Sequence, residues 1–377
     1  LLCLLGIGSV SGAGQTKQPQ KIGDFIESTS YNEHRRNATR SLQYTPDGDD
    51  FVCINGKNRF TRALYGSHTA FRLETSDRPV FAAYTKKNPK HICFKLQTSG
   101  GTVALDSTEH CESRYTAGRR SYSLSDPAFG GGSLSITTWA LPDKERAIWQ
   151  FNARNFKEFH PVLLASISEI RNSKLNRNGD MGADPADSFE APLQPQQLQS
   201  FPVQIDGTLY ILLENQELRT LTTAEGENLF KKAEAARSET ASRIRIETPD
   251  PYFNTLGGTL AMAANGIWDG EVWLHGAIGW RMPLSGWRAA YTGDVLGWHD
   301  RARTHFNAYA ASQVTEVPNT LPHPAQDSAL HLARSVKKWG TPQYSNGYIC
   351  RNPHRNNQMH HYDMNLCYID ELLWHFK

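Results

Sequence analysis

Cysteine is scarce in this chain, with six residues among 377 and no two in a C-x-x-C spacing. That excludes a small disulfide-stapled scaffold and a zinc-ribbon arrangement. Setting aside Cys3 leaves five: Cys53, Cys93, Cys111, Cys350 and Cys367. Cys350 with Cys367 and Cys93 with Cys111 are the pairs worth considering, and buried free thiols acting as small hydrophobes are the other reading. An excess of one charge is also lacking. Lys and Arg number 40 against 38 Asp and Glu, for a net charge of +2. A nucleic-acid binder that tracks phosphates would show a basic face or run, so nucleic acid is excluded as a partner. After the opening residues no apolar stretch approaches the roughly 18 residues that a membrane span needs. No solenoid-period repeat and no low-complexity tract occurs, and nothing calls for a cofactor or a metal.

What is present reads as globular, with 39% hydrophobic and 21% charged residues. At roughly 100–200 residues per domain, the length predicts about two domains. The chain opens on the apolar run Leu1 to Ile7, followed by the small residues Ser11, Gly12 and Ala13 and a polar stretch around Lys17 to Lys21. This looks like the tail of a secretory signal peptide and predicts export, to periplasm or medium. The other end, Ile369 to Lys377, stops inside a helical pattern without cap or breaker. More protein downstream is expected, and an incomplete helical domain would leave apolar surface exposed on that last helix.

From about Asp50 to Asn215 the pattern is one of short strands separated by turn signals. Phe51–Ile54 runs into Asn55-Gly56, a hairpin signal because both residues tolerate positive φ. His91–Leu96, Thr102–Leu105, Ser133–Trp139, Ala147–Phe151, Val162–Ile170 and Leu209–Leu213 continue the series. So many short β-branched and aromatic runs predict a large antiparallel β-sandwich. Near Thr222 the pattern changes. Thr222-Thr223-Ala224-Glu225 is a capping box, followed by Leu229, Phe230, Ala233 and Ala236 at helical spacing. Asp250-Pro251 starts another helix, with Asp as cap and Pro in the first turn. Phe253, Leu256, Leu260, Ala264 and Ile267 are predicted to form its buried stripe. Further helices are expected over Val295–Gln313, Ala325–Trp339 and Asp363–Phe376, with Leu366, Ile369, Leu373 and Phe376 on one face of the last. The expected class is therefore α+β: residues 1–23 a leader remnant, 24–220 the sandwich, 221–250 a helical linker and 251–377 the start of an all-helical domain.

The loops between these helices are long and aromatic, which usually means that they build a site. Trp268, Trp273, Trp280, Trp287 and Trp298 fall within one window, together with Glu271, Arg288, Tyr291, Asp294, His299, Asp300 and Arg303. A flat indole beside Asp, Arg and His suits a sugar ring, which offers a C–H face and edge hydroxyls. The competing reading is a Trp-rich core between helices.

Tyr291-Thr292-Gly293-Asp294 resembles the aromatic-Thr-Gly-Asp segment of six-hairpin, (α/α)6-toroid glycosidases, notably the α-L-rhamnosidase-like enzymes. Residues Asn55–Gly66, Gly179–Pro185 and the Trp268–Arg303 block look like a family of secreted bacterial proteins known as a domain of unknown function. The resemblance implies a supersandwich-like β domain, a helical linker and the first helices of a toroid. It also implies a carbohydrate substrate and makes Asp294 a sugar-contacting carboxylate. The glycosidase pattern has an acidic proton donor seven positions earlier, where this chain carries Trp287. Glu271 and Asp363 are substitutes on chemical grounds, because glycoside hydrolysis usually needs two carboxyl groups. Trp273, Trp280, Trp287, Arg288, Tyr291, Trp298, His299, His360 and His361 are the expected substrate contacts.

Two further clusters carry less. His360 and His361 are adjacent, unlike the i,i+4 pair that binds zinc from one helix face, and Asp363 can simply cap the last helix. Asn176, Asn178, Asp180, Gly182, Asp184 and Asp187 approach calcium-loop spacing, but Met181 stands where that loop needs Gly and Asp187 where it needs Glu. The expectation is a secreted glycoside hydrolase acting on a polysaccharide or oligosaccharide. The rivals are a polysaccharide lyase using Tyr291, His299 and Arg288 on a uronate-containing glycan, and a non-catalytic glycan-binding module.

Overall fold

The computed structural model describes residues 44–57, 62–66, 71–85, 89–156, 160–170, 198–274, 290–313 and 362–377, with a few positions between 315 and 353. The first part is antiparallel β structure in two sheets. One sheet runs, in spatial order, β1 (Thr45–Asp47), β2 (Asp50–Ile54), β8 (His110–Thr116), β9 (Arg119–Ser125), β10 (Ser133–Ala140), β11 (Ala147–Arg154), β14 (Thr208–Glu214) and β15 (Glu217–Leu221). The other runs β13 (Gln199–Pro202), β12 (Val162–Glu169), β6 (Lys90–Thr98), β5 (Val80–Tyr84), β4 (Arg72–Thr75) and β3 (Arg62–Tyr65), with β7 (Gly101–Ala104) also paired to β6.

Alternation builds the core between the sheets. On β6, Ile92, Phe94 and Leu96 are buried while the intervening Cys93 and Lys95 are only half-buried. Phe94 meets Trp149 and Phe151 of β11 edge-on, at ring-centroid distances of 5.7 and 5.1 Å, and Phe81 of β5 meets Trp149 at 5.4 Å. Edge-to-face pairing adds to the hydrophobic gain of about 1.5–3 kcal/mol per buried large side chain. The expected hairpin at Asn55-Gly56 does not form. Asn55 does take a positive φ of 51°, but its side chain accepts from the Cys111 amide at 2.9 Å. The chain then leaves for the second sheet, where β3 pairs with β4 rather than with β2. Cys53, Cys93 and Cys111 are free thiols, so the Cys93–Cys111 pair does not exist.

Helix α1 (Thr223–Ala241) starts on the expected capping box, with Thr222 Oγ1 accepting from the Glu225 amide and the Glu225 carboxylate accepting from the Thr222 amide. It lies on the first sheet through Phe230, whose ring meets that of Trp139 at 4.1 Å. Trp139 also donates its Nε1–H to Glu234 at 3.1 Å. The backbone passes close to the sheet at Gly226, where a Cβ would fall 2.2 Å from the Tyr210 ring.

The helix begun at Asp250-Pro251 is shorter than expected. It ends as α2 (Pro251–Asn254), and α3 (Leu256–Gly266) follows it. Phe253 and Leu260 are exposed, which corrects the expected buried stripe. The break between α2 and α3 shifts the register, and α3 packs through small residues instead. A Cβ on Gly258 would lie 2.9 Å from that of Ala117, and one on Gly266 only 2.4 Å from the Tyr65 ring. The span 295–313 is likewise not one helix: α4 (Tyr291–Val295) and α5 (His299–Ala310) are separated by a turn in which Gly297 takes φ +72°. Within 325–339 the described residues form two short paired strands, β16 (Gln326–Asp327) and β17 (Leu332–Ala333), in place of the start of a helix. The last element, α6 (Tyr362–Phe376), agrees with expectation, and its Leu366, Ile369, Leu373 and Phe376 are exposed. No helix among the described residues is long and apolar enough to cross a membrane.

Candidate functional site

The Trp-rich window divides into core and surface. Trp268, Trp273 and Trp298 belong to the buried cluster that joins α3, α5 and α6, with Phe306, Tyr309 and Tyr368. Trp273 is 0% exposed, and its ring lies 4.6 Å from that of Trp268 and 5.9 Å from that of His305. Trp298 is stacked by Arg301 at 4.3 Å. An indole enclosed on this scale has no free face for a sugar, so Trp273 and Trp298 are packing residues and not the substrate platforms expected of them. Trp280, Trp287, Arg288, His360 and His361 lie outside the described residues, as does the Asn176–Asp187 cluster.

The Trp core nevertheless fixes the site. Gly293, in the middle of α4, presses on Trp273: a Cβ there would stand 2.6 Å from Cη2 of the indole. Only glycine lets α4 settle this closely on the core, and the next residue is Asp294. The Trp298 amide donates to the Gly293 carbonyl at 2.7 Å and the Gly297 amide to the Asp294 carbonyl at 2.9 Å, which ends α4 and redirects the chain into α5.

Asp294 is 26% exposed and does not cap its own helix. Its carboxylate accepts from Nδ1 of His299 at 2.8 Å, and from Nδ1 of His375 at 3.0 Å to each oxygen. A carboxylate only accepts, so each imidazole presents an Nδ1–H to it and keeps Nε2 as the atom for proton exchange. The two rings differ in setting: His299 is 64% exposed, whereas His375 is 18% exposed and packs against Phe306. Tyr291, one turn before Asp294, donates its hydroxyl to Asp370 of α6. That hydrogen bond pushes the Tyr291 phenol well above its ordinary range, with smaller contributions from burial and the charges of Asp370 and Glu371.

α6 is held for this purpose by its polar side. Tyr368 donates to the Phe306 carbonyl at 2.9 Å, and Asn365 exchanges hydrogen bonds with the Ile349 backbone at 2.8 and 3.1 Å. Tyr368, Glu371, Leu372 and His375 thus form the inward stripe at i, i+3, i+4 and i+7, while the apolar Leu366, Ile369 and Leu373 face out.

Of the expected carboxylates, only Asp294 joins this cluster through described contacts. Glu271 is half-buried in the turn capped by Asp269, whose side chain accepts from the Glu271 and Val272 amides at 3.0 and 2.8 Å. Asp363 lies in the first turn of α6. His375 and Asp370 are members that sequence reasoning passed over. Their signal was available: once Leu366, Ile369, Leu373 and Phe376 are placed on one face, His375 falls on the other beside Tyr368 and Glu371. Among the described residues no three His, Cys, Asp or Glu side chains are grouped so as to hold a metal ion.

A family model described as Domain of unknown function (DUF4450) matches residues 89–244. The match runs from β6 to just past α1, well under half of the chain, and stops short of Asp294. The chain is therefore similar to that family through its β region and α1. No curated protein matches it.

Proposed function

We propose that this chain is an exported glycoside hydrolase-like protein that acts on a polysaccharide or oligosaccharide by carboxylate acid/base chemistry. Asp294 is the catalytic carboxylate of this reading, and the helices from Pro251 onward belong to an (α/α)6 toroid carried by a supersandwich-like β domain. The observation that carries it is the setting of Asp294. It is a partly exposed carboxylate, bonded to two imidazoles from other elements rather than to its own helix. A carboxylate oriented in this way can exchange a proton with a glycosidic oxygen or a water, and the neighbouring His299 offers a solvent-facing relay. Asp370, on the far side of Tyr291, is the second carboxyl group that the described cluster presents. Trp280, Trp287, Arg288, His360 and His361 would complete the sugar contacts.

A lyase would use Tyr291 or His299 as its base. The Asp370 hydrogen bond opposes loss of the Tyr291 proton, which leaves His299 as the base of that reading. Product analysis on a panel of neutral and uronate-containing glycans separates the readings. New reducing ends without ultraviolet-absorbing unsaturated sugars support hydrolysis, and unsaturated ends mean a lyase. Saturable glycan binding without any product means a binding module.

A further inference from the structure

A cavity of about 250 Å³ opens where α1, α3 and α5 meet the β structure. Its wall includes Arg237, Arg243, Arg301, Glu239 and Asn265. The charges on that wall do not balance. Arg237 is fully engaged: its Nε and Nη2 donate to Glu234 at 3.0 and 2.5 Å, and Nη1 donates to the Ala117 carbonyl at 3.0 Å. Arg243 has a partial counter-ion in Glu239 at 3.6 Å and donates to the Leu296 carbonyl at 2.9 Å. Arg301 has none. It donates Nη1 to the Asn265 side-chain oxygen at 2.9 Å, and no carboxylate lies within ion-pair distance of it among the described residues.

Arg301 and Arg243 also share an aromatic partner. Their guanidinium carbons lie 4.3 and 5.2 Å from the same ring, that of Trp298. Burial and the Arg243 charge act against the charged form of Arg301, and the Glu239 charge offsets them only in part. Two like charges in a half-enclosed space cost free energy that water screens only in part. Arg301 lines the cavity, and its donors not engaged by Asn265 are not sealed from solvent. Glu234 is shared by Arg237 and Arg119, and Glu239 is the counter-ion of Arg243, so four arginines face two carboxylates and the wall stays net positive. The complement is an anion, and a planar guanidinium matches a planar carboxylate. At roughly 30 Å³ per water, the volume holds about eight waters, the scale of one monosaccharide ring rather than a polymer.

We propose that this cavity binds a small carboxylate of sugar-acid size, its carboxylate seated on Arg301 and Arg243. The inference stands on the cavity itself and does not require Asp294 to act on a glycosidic bond. The test is calorimetric titration of the full chain at constant ionic strength and neutral pH, with glucuronate as probe, glucose as the neutral control and phosphate as the tetrahedral anion. Saturable glucuronate binding is expected, with no binding of glucose and weaker binding of phosphate. Arg301→Gln should weaken glucuronate by at least about tenfold, the scale of one lost charge-assisted contact. Arg243→Gln should also weaken it and serves as the readout if Arg301→Gln misfolds. Arg303→Gln, in the exposed ion pair with Asp300 on the same helix, should leave it unchanged. Asp294→Asn should leave it unchanged too, so the two proposals fail separately. Absence of glucuronate binding, equal binding of glucose, tighter binding of phosphate, or full retention in the variants would each overturn the proposal.

Discussion

Glu234→Gln should loosen α1 from the sheet in a way that pH reveals. Each carboxylate oxygen of Glu234 is used twice: Oε1 by Arg237 Nη2 at 2.5 Å and Arg119 at 3.3 Å, Oε2 by Arg237 Nε at 3.0 Å and Trp139 Nε1 at 3.1 Å. Glutamine keeps the shape but offers one oxygen, so whichever way its amide turns, two donors face an N–H group. A hydrogen bond to a charged group contributes about 1.5–3 kcal/mol. The Glu234 side chain is 31% exposed, so water replaces part of what is lost. A net loss of about 2 kcal/mol follows, or about 4–8 °C in melting temperature at roughly 2–4 °C per kcal/mol. Burial raises the carboxyl pKa, but the hydrogen bonds and charge of Arg237, with Arg119 and Trp139, outweigh it and hold the value below the ordinary 4.5. A depressed folded pKa stabilises the protein fully above the ordinary value, and the gain disappears as pH falls through the depressed one. Denaturant unfolding of wild type and Glu234→Gln should therefore show the full gap at pH 7 and a closing gap well below pH 4.5. A gap that is absent at pH 7, or that stays constant on acidification, would refute the reasoning.

Two further outcomes follow from the same geometry. Gly293→Ala should cost about 1–3 kcal/mol, because its Cβ would overlap the fully enclosed Trp273 ring. Thermal unfolding at wild-type temperature would show that the ring moves aside freely. Cys111 is buried, which pushes its thiol up to about 12, with Arg78 and Arg120 pulling only partly the other way. Alkylation followed by peptide mapping should find Cys111 unmodified in the native protein at pH 8 and modified after denaturation. Rapid native labelling would contradict the burial.

The legible part of the fold was the part written in periodicity. Strands β6, β10, β11, β12 and β14 announce themselves through β-branched and aromatic runs, and the capping box marks α1. Strands β8 and β9 escaped notice because their inward positions include Ser113 and Arg120, and Arg120 is buried only because its guanidinium donates to Ser76 and Ser113. The α3 stripe misled because glycine and alanine do the packing, so the residues of highest hydropathy are not those nearest the core. The tetrapeptide drew attention to Asp294, which the structure shows half-buried and bonded to His299 and His375. His375 itself was not legible, since 81 residues separate it from Asp294 and only the docking of α6 on α5 brings them together. Indole content pointed to sugar binding, but content alone does not say which face of a ring is free, and Trp273 and Trp298 have none to offer.

The central claim is that Asp294 acts chemically rather than structurally. If the proposed hydrolysis holds, Asp294→Asn should abolish turnover at a cost in melting temperature no larger than that of Glu234→Gln, because the amide can turn its one oxygen to the position that His299 and His375 share at 2.8 and 3.0 Å. Turnover near the wild-type rate, or loss of activity together with a collapse of the melting temperature, would contradict the claim and return Asp294 to a packing role between His299 and His375.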